Sequence, residues 1–179
     1  MKRIVLVILC LLLFGTGLFA KERNWGLNFG SGCSIYGAYH SSIEMGAGLF
    51  FGINKFLELN FGVIFPIQNI EYDVRGPHDR ETEYTTGLGL QFGVYGKYPF
   101  SLNRFFVLYP IVGAELDYNY FGAWSAVHVR FGGGLDLFPL TRNMFIRFQG
   151  FFGPSFPFDG LGDNIGFGFF FRLGMGWML

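Results

Sequence analysis

Cysteine is almost missing from this chain. Among 179 residues only Cys10 and Cys33 occur, and Cys10 sits inside an N-terminal apolar run. Once that run is removed a single thiol remains, so no internal disulfide can form. Charge is scarce as well: Asp, Glu, Lys and Arg make up 15% of the residues and cancel to a net charge of zero. A chain without a basic excess carries no electrostatic footprint for nucleic acid. Only His40, His78 and His128 are histidines. Beyond residue 20, no apolar run approaches the roughly 20 residues that a membrane-spanning helix needs.

What is abundant is glycine, 28 residues, and aromatic side chains, 21% of the chain. Their arrangement is ordered. From Ile165 to Leu179 every odd position is large and apolar, while the even positions are mostly Gly, with Arg172 among them. A period of two over that length describes a β-strand with one greasy face and one small or polar face. Eight consecutive outward apolar positions suit a strand whose outer face meets hydrocarbon along its whole length.

The start of the chain reads as a leader. Lys2 and Arg3 precede the apolar core Ile4 to Phe14, and a small-residue stretch ends at Ala20. This is the pattern of a secretory signal peptide, residues 1–20, leaving residues 21–179 as one domain. Cys10 is no lipid anchor, since bulky Leu9 precedes it and more apolar sequence follows.

Transmembrane β-strands need about 9–11 residues each, so residues 21–179 hold eight strands with turns and a few loops. Alternation places them at Asn24 to Tyr36, Ile43 to Ile53, Leu57 to Phe65, Leu88 to Val94, Phe105 to Tyr118, Val127 to Leu137, Met144 to Phe152 and the terminal segment. Pro66 to Glu83 reads as a long, mildly acidic loop, and Gly96 to Arg104 as a turn of intermediate length. The expected fold is all-β: an eight-stranded antiparallel transmembrane up-and-down β-barrel.

The inward face should then carry a polar network of Glu44, Glu58, Glu115, Asp117, Arg130, Asp136, Arg147 and Arg172, with Gln91 and Gln149 beside it. Two groups are expected to pair internally, Glu115 with Arg130 and Arg172, and Glu58 with Asp136 and Arg147. An eight-stranded interior is barely wide enough for its own side chains, which favours a filled lumen over a solute path. Inward glycines beside Phe50, Ile64, Tyr95, Phe151 and Phe170 either relieve crowding or border a cavity. Tyr120, Phe121, Trp124, Phe156 and Phe158, on two loops, are candidates for an apolar mouth.

Catalysis is not expected. Ser125 lies three residues before His128, and such residues point to opposite sides of a strand. His128 is expected to bond a lumen carboxylate instead. No spacing supports a metal site, and no cofactor is implied.

The leader, the eight alternating segments, the terminal strand and local patterns such as Tyr109 to Ala114 and Arg130 to Gly134 resemble the small outer-membrane β-barrel superfamily, of the OmpA membrane-domain, OmpX and OmpW types. That resemblance implies an integral protein of the outer membrane of a diderm bacterium, with periplasmic termini. It also implies a C-terminal strand read by the barrel-assembly machinery, Leu179 standing where Phe is usual. The aromatic loops and Gly-rich lumen look like the OmpW type, which implies a narrow channel or carrier for small hydrophobic molecules. The lumen charges look like the closed OmpX and OmpA types, which implies a structural or adhesin-type barrel presenting extracellular loops to a partner.

Overall fold

The computed structural model describes residues 24–36, 40–73, 80–120, 125–139, 143–158 and 165–178. The expected leader lies outside these residues, as do Phe121, Trp124, His78 and Leu179. Ten strand segments follow one another: β1 (Asn24–Tyr36), β2 (His40–Gly52), β3 (Leu57–Asp73), β4 (Arg80–Thr86), β5 (Gly89–Lys97), β6 (Phe100–Ser101), β7 (Phe106–Asn119), β8 (Ala126–Leu137), β9 (Met144–Pro157) and β10 (Gly166–Met178). β4 and β5 both pair with β3 and together form one wall strand, while β6 is a two-residue segment against β7. The wall therefore has eight strands. All its pairings are antiparallel, and β1 closes it by pairing with β10, Asn24 opposite Met178 and Tyr36 opposite Gly166. Closure leaves no free edge along the barrel wall, the condition for β-structure in hydrocarbon.

The alternation read from the sequence is the in–out pattern of the wall. Along β10, Phe167, Phe169, Phe171, Leu173 and Met175 face outward, and Gly168, Phe170, Arg172 and Gly174 are buried. Outside the β3–β4 hairpin, every acidic, lysine or arginine side chain on a strand is buried, among the described residues.

One end of the barrel carries the first and last described strand ends and the tight turns. Two of these turns use the same device. Asn54 Oδ1 accepts the amides of Phe56 and Leu57 at 2.8 and 2.9 Å. Asn103 Oδ1 accepts those of Phe105 and Phe106 at 2.8 and 3.1 Å. An Asn side chain standing in for a backbone carbonyl reverses the chain within a few residues. Aromatic rings ring this end, with Trp25 stacked on Trp177 at 5.1 Å and Phe56 on Tyr98 at 5.7 Å.

The opposite end departs from expectation. Pro66 to Glu83 is not a loop over most of its length. β3 continues to Asp73 and pairs with β4, from Ile67 opposite Thr86 to Asp73 opposite Arg80. The polar composition suggested a loop because a hairpin rising past the lipid no longer needs an apolar face.

Candidate functional site

The lumen is the place where chemistry concentrates, and it is filled in two tiers. The tier nearer the turn end centres on Arg147 of β9. Its Nε and Nη2 donate to Asp136 Oδ1 and Oδ2 of β8 at 2.7 and 2.8 Å, and its Nη1 donates to Glu58 Oε2 of β3 at 2.6 Å. Lys97 Nζ of β5 donates to the same Glu58 oxygen at 2.7 Å. Neutral groups take up the remaining capacity: Asn60 Nδ2 donates to Glu58 Oε1 at 3.2 Å, and the Tyr109 hydroxyl donates to Asp136 Oδ1 at 3.0 Å. The guanidinium also lies over the Phe50 ring at 4.2 Å and the Phe145 ring at 4.9 Å. Two carboxylates thus meet two cations, the arginine holding one of them in the bidentate geometry that suits its planar fork.

Lys97 is the cation that the sequence reading missed. The interval Gly96 to Arg104 reads as a turn, but β5 runs on to Lys97, whose position shares the inward parity of Gln91 and Tyr95. Extending the alternation by one more inward position would have found it.

The outer tier centres on Glu115 of β7. Arg172 of β10 donates through Nη2 to Glu115 Oε2 and, at 3.1 Å, to Gln91 Oε1; its Nη1 donates to the Tyr95 hydroxyl at 2.9 Å. Tyr95 in turn donates to Glu115 Oε2. Arg130 of β8 lies with Nε 3.5 Å from Glu115 Oε1 and Nη2 4.0 Å from Glu44 Oε2. Above them His128 has Nε2 3.0 Å from Asp117 Oδ2 and Nδ1 2.7 Å from Ser155 Oγ. All eight network residues read from the sequence are therefore inside and buried, and both expected groups meet.

The aromatics between the tiers are core, not cavity wall. Tyr95 and Phe151 pack at 5.4 Å, and Arg172 sits 5.1 Å from the centres of both Phe151 and Phe170. The inward glycines make room for these rings. A Cβ on Gly30 would lie 2.5 Å from Phe170, and one on Gly176 would lie 2.7 Å from Phe50.

The candidate mouth is placed differently. Tyr120 is exposed, packed edge-on against outward Tyr118 at 5.2 Å. Phe156 shares the outward parity of Phe148 and Phe152, and Phe158 is exposed beyond it. That is the parity of an interfacial aromatic girdle, while the interior at this end presents buried Ser34, Tyr36, Ser42, Gln68, Ser125 and Ser155. The reason is periodicity: the strands continue further outward than the apolar pattern suggests, so the aromatics stay on the lipid-side face.

His128 does meet a serine, but not Ser125. Ser125 is also buried, and its Oγ accepts the Asn119 amide at 3.0 Å. The partner is Ser155, brought opposite His128 by the β8–β9 register. Parity alone could have put Ser155 inside; only the register reveals the pairing. Asp117, His128 and Ser155 thus lie in a row, with a hydrogen bond between His128 and Ser155 but only a close approach between His128 and Asp117. A nucleophile needs room for a reacting carbonyl beside it. Ser155 and His128 have none, both being fully buried. His40 opens β2.

No family model matches this chain, and no curated protein matches it in sequence. Solved structures do match. Neisserial surface protein A aligns with a TM-score of 0.50 at 13% identity, covering 87% of this chain and 96% of that one. The Yersinia pestis attachment invasion locus protein Ail aligns at 0.48 and 16%, covering 88% and 98%. The N-terminal β-barrel domain of Pseudomonas aeruginosa OprF aligns at 0.45 and 12%, covering 86% and 97%. At 13% identity the likeness to neisserial surface protein A concerns architecture alone, and with the closed wall described above it shows that the chain has the fold of a small eight-stranded outer-membrane β-barrel.

Proposed function

We propose that this chain is an integral outer-membrane protein whose sealed barrel serves as an anchor, presenting the β3–β4 hairpin and neighbouring connections to a partner outside the cell. The observation that carries this reading is burial of the lumen charges. Glu58, Glu115, Arg130 and Arg147 each retain at most 1% of their surface. A water-sized void beside any of them would show as exposure, so no continuous wet path runs past these four groups, and the cavity at the turn end stops at Lys97 and Asp136. Both termini lie in the periplasm in this reading, the last strand engages the assembly machinery, and no catalytic step is assigned.

A carrier for small hydrophobic molecules is the second reading, and one feature favours it. The β8–β9 ladder runs from Ala126–Pro157 to His128–Ser155, then resumes at Phe131–Phe152. The gap falls at Gly153 and Pro154. Proline lacks a ladder donor. Gly153 has a φ of 153°, and the Val129 carbonyl occupies the place of its missing Cβ. The seam is thus interrupted but closely packed.

Two measurements test the anchor reading. In vesicles reconstituted with the purified protein, apolar solutes should cross at the rate of empty vesicles, and Phe156→Ala should change nothing. Solute-selective acceleration would replace the anchor with the carrier. For orientation, a cysteine at exposed Tyr84 on β4, in a Cys33→Ser background, should react with an impermeant maleimide on intact cells. Labelling only after lysis would invert the barrel.

A further inference from the structure

We infer that the outer tier contains a buried binding site for a first-row divalent cation, with Glu44, Asp117 and His128 as ligands and Ser155 as the positioning partner of His128. One carboxylate oxygen from each acid and one ring nitrogen of His128 all lie within 4.8 Å of one another, on three different strands. In a tetrahedral zinc site, with ligands about 2.0–2.1 Å from the ion, donor atoms stand roughly 3.3 Å apart. Rotamer adjustment of Glu44 closes the difference, because Asp117 Oδ2 and His128 Nε2 are already 3.0 Å apart.

The second observation is independent of that proximity. The Asp117 side chain is 3% exposed, yet among the described residues neither of its oxygens has a hydrogen-bond partner. His128 Nε2 has none either. The two groups are close but misdirected for a bond to each other. Buried polar atoms left this way are costly unless something occupies the point on which they converge.

Charge gives the sign of the missing occupant. Three carboxylates, Glu44, Glu115 and Asp117, face two guanidiniums, Arg130 and Arg172. Glu115 takes the contact of Arg172 and the closer contact of Arg130. Glu44 has only the 4.0 Å approach of Arg130 as an ion contact, beside a hydrogen bond from Ser42 Oγ at 3.3 Å, and Asp117 has His128 as its sole ion partner among the described residues. The tier is one positive charge short.

Ser155 fixes the histidine for this task. With the proton on Nδ1, His128 donates to Ser155 Oγ and turns the Nε2 lone pair toward the two carboxylates. A ligating imidazole held through its other nitrogen is the usual supporting arrangement in metal sites, and loss of such a partner typically costs 10–100-fold in affinity. Imidazole with carboxylate oxygens suits zinc and its first-row neighbours rather than magnesium or calcium.

The test uses the full barrel refolded in detergent and stripped with a chelator. Zinc titrated by calorimetry should bind at one equivalent, and cobalt should give the visible bands of a low-coordinate nitrogen–oxygen site. Asp117→Asn and His128→Gln should each weaken zinc by more than tenfold. Ser155→Ala should weaken it by about 10–100-fold. The double variant His40→Gln with His78→Gln should bind as the parent does. Heat-modifiable gel mobility establishes that each variant is folded, and the cobalt spectrum comes from the parent chain, so the test survives a variant that fails to fold. Three results would overturn the site: no binding by the parent; unchanged binding in folded Asp117→Asn and His128→Gln; or loss of binding in the His40/His78 variant.

Discussion

Replacing Arg147 with leucine should lower the stability of the folded barrel by about 3–5 kcal/mol, the range found when one partner of a buried ion pair is removed. The loss comes less from the missing attraction than from what stays behind. Asp136 would retain only the Tyr109 hydroxyl, and Glu58 would keep Lys97 and Asn60 but lose its 2.6 Å partner. No water reaches the Glu58 oxygens, since Glu58 is wholly buried, while Asp136 keeps a small exposure toward the turn end. Urea unfolding in lipid vesicles, followed by tryptophan fluorescence and heat-modifiable mobility, measures the change. A companion variant that also carries Asp136→Asn and Glu58→Gln should recover much of the loss, because neutral amides are cheaper to bury than unmatched carboxylates. A loss under about 1 kcal/mol for Arg147→Leu alone would contradict the sealed tier, for it would mean that water solvates the remaining acids.

The second large effect lies on the other face of the wall. Phe171→Arg should cost about 2–4 kcal/mol, the penalty of a basic side chain at the bilayer midplane. Phe171 is 66% exposed and sits near the middle of β10. Trp177→Arg, near the turn end of the same strand, should cost about 0–1 kcal/mol through its charge, because the penalty fades toward the interface. The native Arg172, one position along, makes the contrast sharp: it points inward, and its guanidinium is bonded by Glu115, Gln91 and Tyr95. Equal costs at positions 171 and 177 would show that β10 does not cross a hydrocarbon layer at the depth assigned.

The wall and its parity were legible in the sequence because lipid imposes a period of two with few exceptions. The same parity put Glu44, Glu58, Glu115, Asp117, Arg130, Asp136, Arg147 and Arg172 inside. It could not show who meets whom across strands far apart in sequence; the Arg147–Glu58 contact spans 89 residues. Height along the barrel gave the two groupings, but the His128–Ser155 contact needed the register of β8 against β9. Strand ends were the least legible part. Where the wall rises past the bilayer the apolar face is no longer enforced, so Ile67 to Asp73 and Arg80 to Glu83 read as loop. Lys97 vanished into a turn for the same reason at the other end. The aromatics Tyr120, Phe156 and Phe158 were read by composition, and composition does not tell which side of a wall a ring occupies.

The pairing of β1 with β10 sets the order of events during assembly. Asn24 finds Met178 only after all of residues 24–178 have been made, so the wall cannot close before β10 exists. Until then β1 offers one unsatisfied edge and the growing C-terminal strand another, and exposed edges invite pairing with other chains. Joining the two ends carries the loop-closure entropy of the longest-range strand pairing among the described residues, which must be met before any hydrogen bond of that seam forms. Each half of this chain, expressed alone, is therefore an aggregation hazard rather than a domain. Covalent fusion of the first and last strands in a circular permutant, opened instead at the Asn54–Lys55 turn, would move that slow step to a different seam while leaving the finished wall the same.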